Sequence, residues 1–277
     1  MKKFIACTVI TVFMLVIVMC IIIYKSVIRE DLPHGAVMHI LPASNINNVR
    51  NAIILCPGGG YASLAKWREG YMWLPYYHFL GYTVAVLEYR MPNHDYRIPM
   101  TDGGEALVSM RNHAKEWGFN KNQVGMMGFS AGGHLVSSLM VSDNPLMRPD
   151  YAVLFYPVVS MKHDLTHQGS HDKLLGKDAT AQLEEQNSPY LHVSDQTPPA
   201  YIVVCPDDKI VNPQNAICFY DQMRAKSRPV TLQTYPSGGH GWGYRLTYEY
   251  HNQMLKDLKA WLLKMQAANW NTKNDKE

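Results

Sequence analysis

The sequence predicts an α/β fold, with a mostly parallel central sheet, helices on both faces and a small cap-like insertion. Three observations point that way. Compact apolar runs at residues 52–56, 82–89, 124–129, 151–159, 200–205 and 230–235 have the length and composition of buried strands. Segments with apolar residues at helical spacing alternate with them, which favours parallel pairing through right-handed crossovers. Several runs also break at their carboxyl ends into glycine-rich or aspartate-rich turns, the edge on which such sheets carry their ligands.

The elements follow in order. After a linker at residues 26–33 and a weak strand at 36–41, the run AIILC leads straight into Pro57-Gly58-Gly59-Gly60-Tyr61. A helical stretch over 68–80, interrupted or begun by Pro75, stops at Gly81 ahead of the second strong strand. A loop at 90–99 precedes a helix over 100–117, in which Ala106, Leu107, Met110 and Ala114 share a face. Strand 124–129 then turns at Ser130 into a helix carrying Leu135, Val136 and Leu139. Beyond strand 151–159 the pattern decays into the polar, proline-bounded insertion, about 160–199, with a helical piece at 179–186. Strand 200–205, helix 213–225, strand 230–235 and an amphipathic helix over 246–265 complete the unit, and 269–277 reads as an unstructured polar tail.

A chain of 277 residues with 47% hydrophobic content suits a single α/β domain, placed at residues 35–268. The net charge of +3 comes from interspersed acids and bases, so nothing points to a nucleic-acid partner. Residues 4–23 are uninterruptedly apolar behind Lys2 and Lys3. That length spans a bilayer and exceeds the apolar core of most cleaved signals, so residues 1–25 read as a signal anchor or signal peptide. The positive flank places the amino terminus in the cytoplasm and the domain outside, exported to a periplasmic or extracytoplasmic site and anchored by residues 4–23 if the leader is retained. Cys20 follows Met19 rather than the small residue a lipidation site usually has. Beyond the leader, Cys56, Cys205 and Cys218 form neither an even set nor a Cys-x-x-Cys spacing, which argues against a disulfide framework or a cysteine zinc site.

Gly128-Phe129-Ser130-Ala131-Gly132 fits the Gly-x-Ser-x-Gly nucleophile elbow in its required strand–turn–helix setting, which makes Ser130 the candidate nucleophile. A serine hydroxyl needs a base to take its proton and a carboxylate to orient that base. Asp207 and Asp208 follow the penultimate strand and His240 follows the last, each just past a carboxyl end, where the elbow also opens. Either aspartate satisfies this placement. The triple glycine after strand 52–56 lacks the Lys-Ser/Thr of a phosphate loop and the spacing of a dinucleotide site, so its amides read as oxyanion donors.

Taken together, PGGGY, GFSAGGH, DDKIV and PSGGHGWG resemble the motifs of the α/β-hydrolase superfamily, and within it the small esterases that include bacterial acetyl xylan esterases and related carboxylesterases. The resemblance covers nearly everything after about residue 35. It implies the α/β-hydrolase fold and a serine esterase with Ser130 as nucleophile, His240 as base and Asp208 as acid, since the family carboxylate lies three residues before a valine, here Val211. It also implies oxyanion donors at Gly59, Gly60 and Ala131, no cofactor, and a small-molecule or oligosaccharide ester as substrate. Two positions depart from the family pattern: Asn212 stands where a proline usually follows the valine, and Pro57 where many relatives have histidine. A prolyl-oligopeptidase-like peptidase and a membrane-tethered, non-catalytic binding protein are the rival readings.

The remaining candidates have simpler explanations. His134, four residues past Ser130, is expected to pack or hydrogen-bond rather than act as base, because the elbow turns Ser130 away from that helix. His163, His167 and His171 would share a helical face able to hold zinc, but Gly169 and Ser170 weaken the helix and ester hydrolysis needs no metal. Tyr61 and Trp242 flank the proposed site, either as pocket walls or as core aromatics.

Overall fold

The computed structural model describes residues 26–43 and 51–274. The expected leader therefore lies outside the described residues, as do positions 275–277 of the polar tail. Among the described residues no helix is long and apolar enough to cross a membrane.

The sheet is built from β1 (Ile28–Asp31), β2 (Val37–Leu41), β3 (Ala52–Cys56), β4 (Thr83–Glu88), β5 (Val124–Phe129), β6 (Ala152–Phe155), β7 (Ala200–Val204) and β8 (Val230–Thr234). Their spatial order is β1-β2-β4-β3-β5-β6-β7-β8. The β1–β2 and β2–β4 pairs are antiparallel and all other pairs are parallel. The helices are α1 (Leu74–Phe79), α2 (Arg97–Asn112), α3 (Ala131–Met140), α4 (Gln168–Leu174), α5 (Ala181–Gln186), α6 (Gln214–Ala225) and α7 (His251–Asn274).

Strand alternation feeds two cores. In β3, Ala52, Ile54 and Cys56 join the core that α2, α3 and α6 close with Leu107, Leu135 and Phe219. Ile53 and Leu55 enter the opposite core, closed by Trp73 and Tyr77 near α1 and by Met254 and Leu258 of α7. Each of the larger aliphatic and aromatic side chains, withdrawn from water, contributes about 1.5–3 kcal/mol before its ordering cost. Strands β3 to β7 are buried on both faces, as parallel strands require, while the edge strands β1 and β8 stay partly exposed.

The order reverses at β3: β4 lies on one side and β5 on the other. Crossovers leaving in opposite directions open a crevice at the carboxyl ends there. The register pairs Cys56 with Gly128, so the glycine loop after β3 and the turn after β5 emerge side by side.

Several boundaries differ from the sequence expectation, each for a local reason. The 26–33 linker contains β1, whose polar IRED carries no strand alternation and pairs only at the sheet edge. The helix expected over 68–80 is a 3-10 turn at Tyr71–Trp73 followed by α1, which Pro75 begins. Helix α2 starts at Arg97, inside the expected loop, because Pro99 fits a first turn, where no backbone N–H is needed. Strand β6 stops at Phe155 because Tyr156 turns left-handed, at φ 38°. Helix α7 begins at His251 rather than 246 and continues to Asn274, so most of the tail expected to be unstructured is helical.

Candidate active site

Three loops at one rim of the sheet build the site. After β5, Ser130 sits at φ 52°, ψ −118°, a conformation that costs a non-glycine residue about 1–3 kcal/mol. Its N–H donates to Phe155 O at 3.0 Å, and its carbonyl accepts from Val158 N at 3.2 Å and His134 N at 3.1 Å, so the turn is held from both sides. Gly132 must be glycine: a Cβ there would lie 2.1 Å from Cys56 O, forcing α3 off the neighbouring strand.

His240, in the loop after β8, places Nε2 2.9 Å from Ser130 Oγ and Nδ1 2.7 Å from Asp208 Oδ2. A carboxylate at Nδ1 fixes the proton on that nitrogen, which leaves Nε2 to accept from the serine hydroxyl. The other oxygen of Asp208 accepts from Ile210 N at 2.9 Å and Val211 N at 3.0 Å. Its side chain is fully buried, beneath an imidazole still 14% exposed.

Asp207 is exposed and turns the other way, accepting from Gly238 N and Gly239 N at 3.1 and 2.9 Å. Those amides hold its carboxyl below the usual aspartate range. The geometry thus separates the two aspartates that the sequence left open: one meets the imidazole and the other braces the loop that carries it. Val211 N donates to Asp208 Oδ1 with Asn212 standing in the place of the family's proline.

Opposite the serine, Gly59 has φ 132° and Gly60 φ 63°, which aligns the loop for backbone donation. Gly58 N is already committed to Glu69 Oε2 at 2.8 Å. Among the described residues, the amides of Gly59, Gly60 and Ala131 meet no protein acceptor. Pro57, in the place of histidine, accepts from Tyr89 O–H at 2.7 Å, so the loop is anchored through its backbone.

Glu69 is a residue that sequence reasoning missed. It is 3% exposed, and Oε1 accepts from Tyr156 O–H at 2.8 Å. The same phenol accepts from Gly243 N at 3.0 Å, and its ring centroid lies 4.7 Å from that of His240. One carboxylate therefore ties the glycine loop to the histidine loop. Burial pushes its carboxyl up, against the lowering hydrogen bonds from Tyr156 and Gly58.

His134 does not approach the serine's reacting side. It accepts from Tyr61 O–H at 2.8 Å and donates from Nε2 to Asn187 O at 2.8 Å, linking α3 to the insertion. Burial lowers its pKa to about 4, so it is neutral at pH 7. Tyr61 and Trp242, 2% and 1% exposed, are core aromatics. Cys56, Cys205 and Cys218 are free thiols.

Of the three histidines at residues 160–199, His167 caps α4 with its own ring and lies where a Cβ on Gly60 would meet its Cε1 at 3.7 Å, above the glycine loop. His163 precedes the helix, which starts only at Gln168, so the three do not share a helical face. Instead His163 and His171 converge on Glu184.

The sequence model of the BD-FAE family, of α/β-hydrolase type, matches residues 38–223, from β2 to the last turn of α6. The chain belongs to the BD-FAE family. This BD-FAE chain is 39% identical over 223 residues to an acetylxylan esterase of Xylanibacter ruminicola, covering 78% of this chain and 46% of that protein. It is 30% identical over 209 residues to endo-1,4-beta-xylanase B of Butyrivibrio fibrisolvens, covering 69% of this chain and 32% of that one. The chain therefore spans less than half the length of these two relatives. Among solved structures it resembles the acetyl ester-xyloside bifunctional hydrolase of Caldicellulosiruptor lactoaceticus, with a TM-score of 0.76, 30% identity, and coverage of 83% of this chain and 89% of that one. The BD-FAE sheet and its helices have the α/β-hydrolase fold.

Proposed function

We propose that this chain is a serine carboxylic-ester hydrolase that works through an acyl-enzyme and removes acetate from a carbohydrate such as acetylated xylan. The observation that carries the proposal is the unbroken relay of Ser130, His240 and Asp208, joined at 2.9 and 2.7 Å.

Ser130 Oγ attacks the ester carbonyl while Nε2 of His240 takes its proton, and Asp208 stabilises the imidazolium that forms. The amides of Gly59, Gly60 and Ala131 receive the oxyanion, a group of donors whose removal one at a time typically costs about 10²–10³ in turnover. Collapse of the tetrahedral intermediate expels the sugar alcohol, protonated by His240, and leaves acetate esterified to Ser130. A water molecule, deprotonated by the same imidazole, then releases acetate and restores the hydroxyl.

The carbohydrate part of the reading rests on the acetylxylan esterase and the xylosidic hydrolase to which the chain is similar. Acetate release from acetylated xylo-oligosaccharides, followed beside aryl esters of increasing acyl length and a peptide panel, tests it. The expected result is a preference for acetyl groups on the oligosaccharide. Activity confined to long-chain lipid esters or to peptides would reject it.

A further inference from the structure

The cap insertion carries a second constellation that ester hydrolysis does not use. Nε2 of His163 and Nε2 of His171 each lie 3.1 Å from Oε1 of Glu184. The three ligand atoms fall within 4.8 Å of one another. His171 is fully buried, the Glu184 side chain is 9% exposed, and His163 is 58% exposed.

Outer hydrogen bonds surround both rings, and Gln168 Nε2 also lies 3.4 Å from His171 Nδ1. His171 Nδ1 faces Asp172 Oδ1 at 3.0 Å, and His163 Nδ1 faces Gln168 Oε1 at 3.2 Å, while the Gln168 amide donates to Asp172 Oδ1 at 2.6 Å. In the tautomers with Nδ1–H directed at those oxygens, each ring is held as in metal-binding histidines fixed by a carboxylate or amide oxygen. That leaves two imidazole lone pairs and a carboxylate oxygen directed at one point. Without a cation, Nε2–H of either ring can donate to Oε1 of Glu184 at 3.1 Å. A divalent cation would take the place of those protons and be held by all three atoms.

We propose that His163, His171 and Glu184 form a zinc-binding site, with a fourth position open to solvent beside His163. Two nitrogens and one carboxylate oxygen suit Zn²⁺ better than the oxygen-seeking Mg²⁺ or Ca²⁺. The metal's role is to clamp the cap. Helices α4 and α5 have 7 and 6 residues, too short to persist on their own. Helix α4 also carries Ser170, whose Oγ lies 4.0 Å from where a Cβ on Gly60 would sit. A tie from the next residue, His171, to Glu184 would hold α4, and with it His167, over the glycine loop.

Competition with a chromophoric zinc chelator, using the full chain after EDTA treatment, tests the site. The expected result is one equivalent of Zn²⁺ bound at micromolar affinity or tighter. Affinity should fall by about 100-fold or more in His163→Ala and Glu184→Gln, and by about 10–100-fold in Asp172→Asn. His163 is exposed, so its substitution should leave the fold intact, which circular dichroism would check. Cobalt(II) should show the intense visible bands of a tetrahedral site in the native chain and lose them in His163→Ala. No binding in the micromolar range, or equal binding by the native chain and both ligand variants, would overturn the proposal.

Discussion

Asp207 and Asp208 are neighbours in sequence and make opposite uses of one turn. The buried carboxylate holds His240 Nδ1, while the exposed one accepts from the amides of Gly238 and Gly239 two and one residues before the imidazole. Asp208→Asn should therefore cost roughly 10⁴-fold in kcat, because an amide cannot enforce the same tautomer. Asp207→Asn keeps an acceptor for only one of those two amides, which loosens the loop but leaves the imidazole its carboxylate, and should cost far less in kcat. Steady-state kinetics on an aryl acetate would distinguish them, and the reverse pattern would move the acid to Asp207. Residues whose chemistry sits beside a strand end, such as Ser130 and His240, were legible in the sequence because the α/β rule says where those ends meet. Glu69 was not. Its meaning depends on Tyr156, 87 positions later, and nothing local marks a glutamate as buried.

At the scale of elements, His134 joins the elbow helix to the insertion through Asn187 O and to the glycine loop through Tyr61. Burial lowers its pKa from the ordinary 6.5 to about 4. An unfolded chain then binds a proton between those values that the native chain refuses, so the stabilisation is complete above pH 6.5 and drains away as pH falls toward 4. The total is about 3 kcal/mol. Urea melts at about pH 7 and about pH 4.5 should show a loss about 2–3 kcal/mol smaller in His134→Gln than in the native chain. Equal losses would show that His134 does not titrate as its burial requires. The insertion was the least legible element. The helical piece at 179–186 was legible and is α5, but α4 was not, since Gly169 and Ser170 suppress helix propensity and His167 supplies the cap with an unusual ring acceptor. The same cap separates His163 from the helix and so replaces a three-histidine face by a convergence on Glu184.

For the whole molecule, the decisive feature is the reversal of strand order at β3. It sets the glycine loop beside the elbow, while β7 and β8 deliver the aspartate and histidine along the same rim. Alternation of apolar strands and amphipathic helices made this architecture legible, because burial on both faces writes a strong signal into each parallel strand. Edge strand β1 escaped for the converse reason, since its exposed face needs no apolar residues. The proposed function requires Ser130 to be activated by an imidazole 110 positions away. Labelling with a fluorophosphonate probe, followed by peptide mass spectrometry, reads that activation directly. One label per chain on Ser130, slowed by orders of magnitude in His240→Ala, is the predicted result. Labelling at another residue, or at an unchanged rate in His240→Ala, would contradict it.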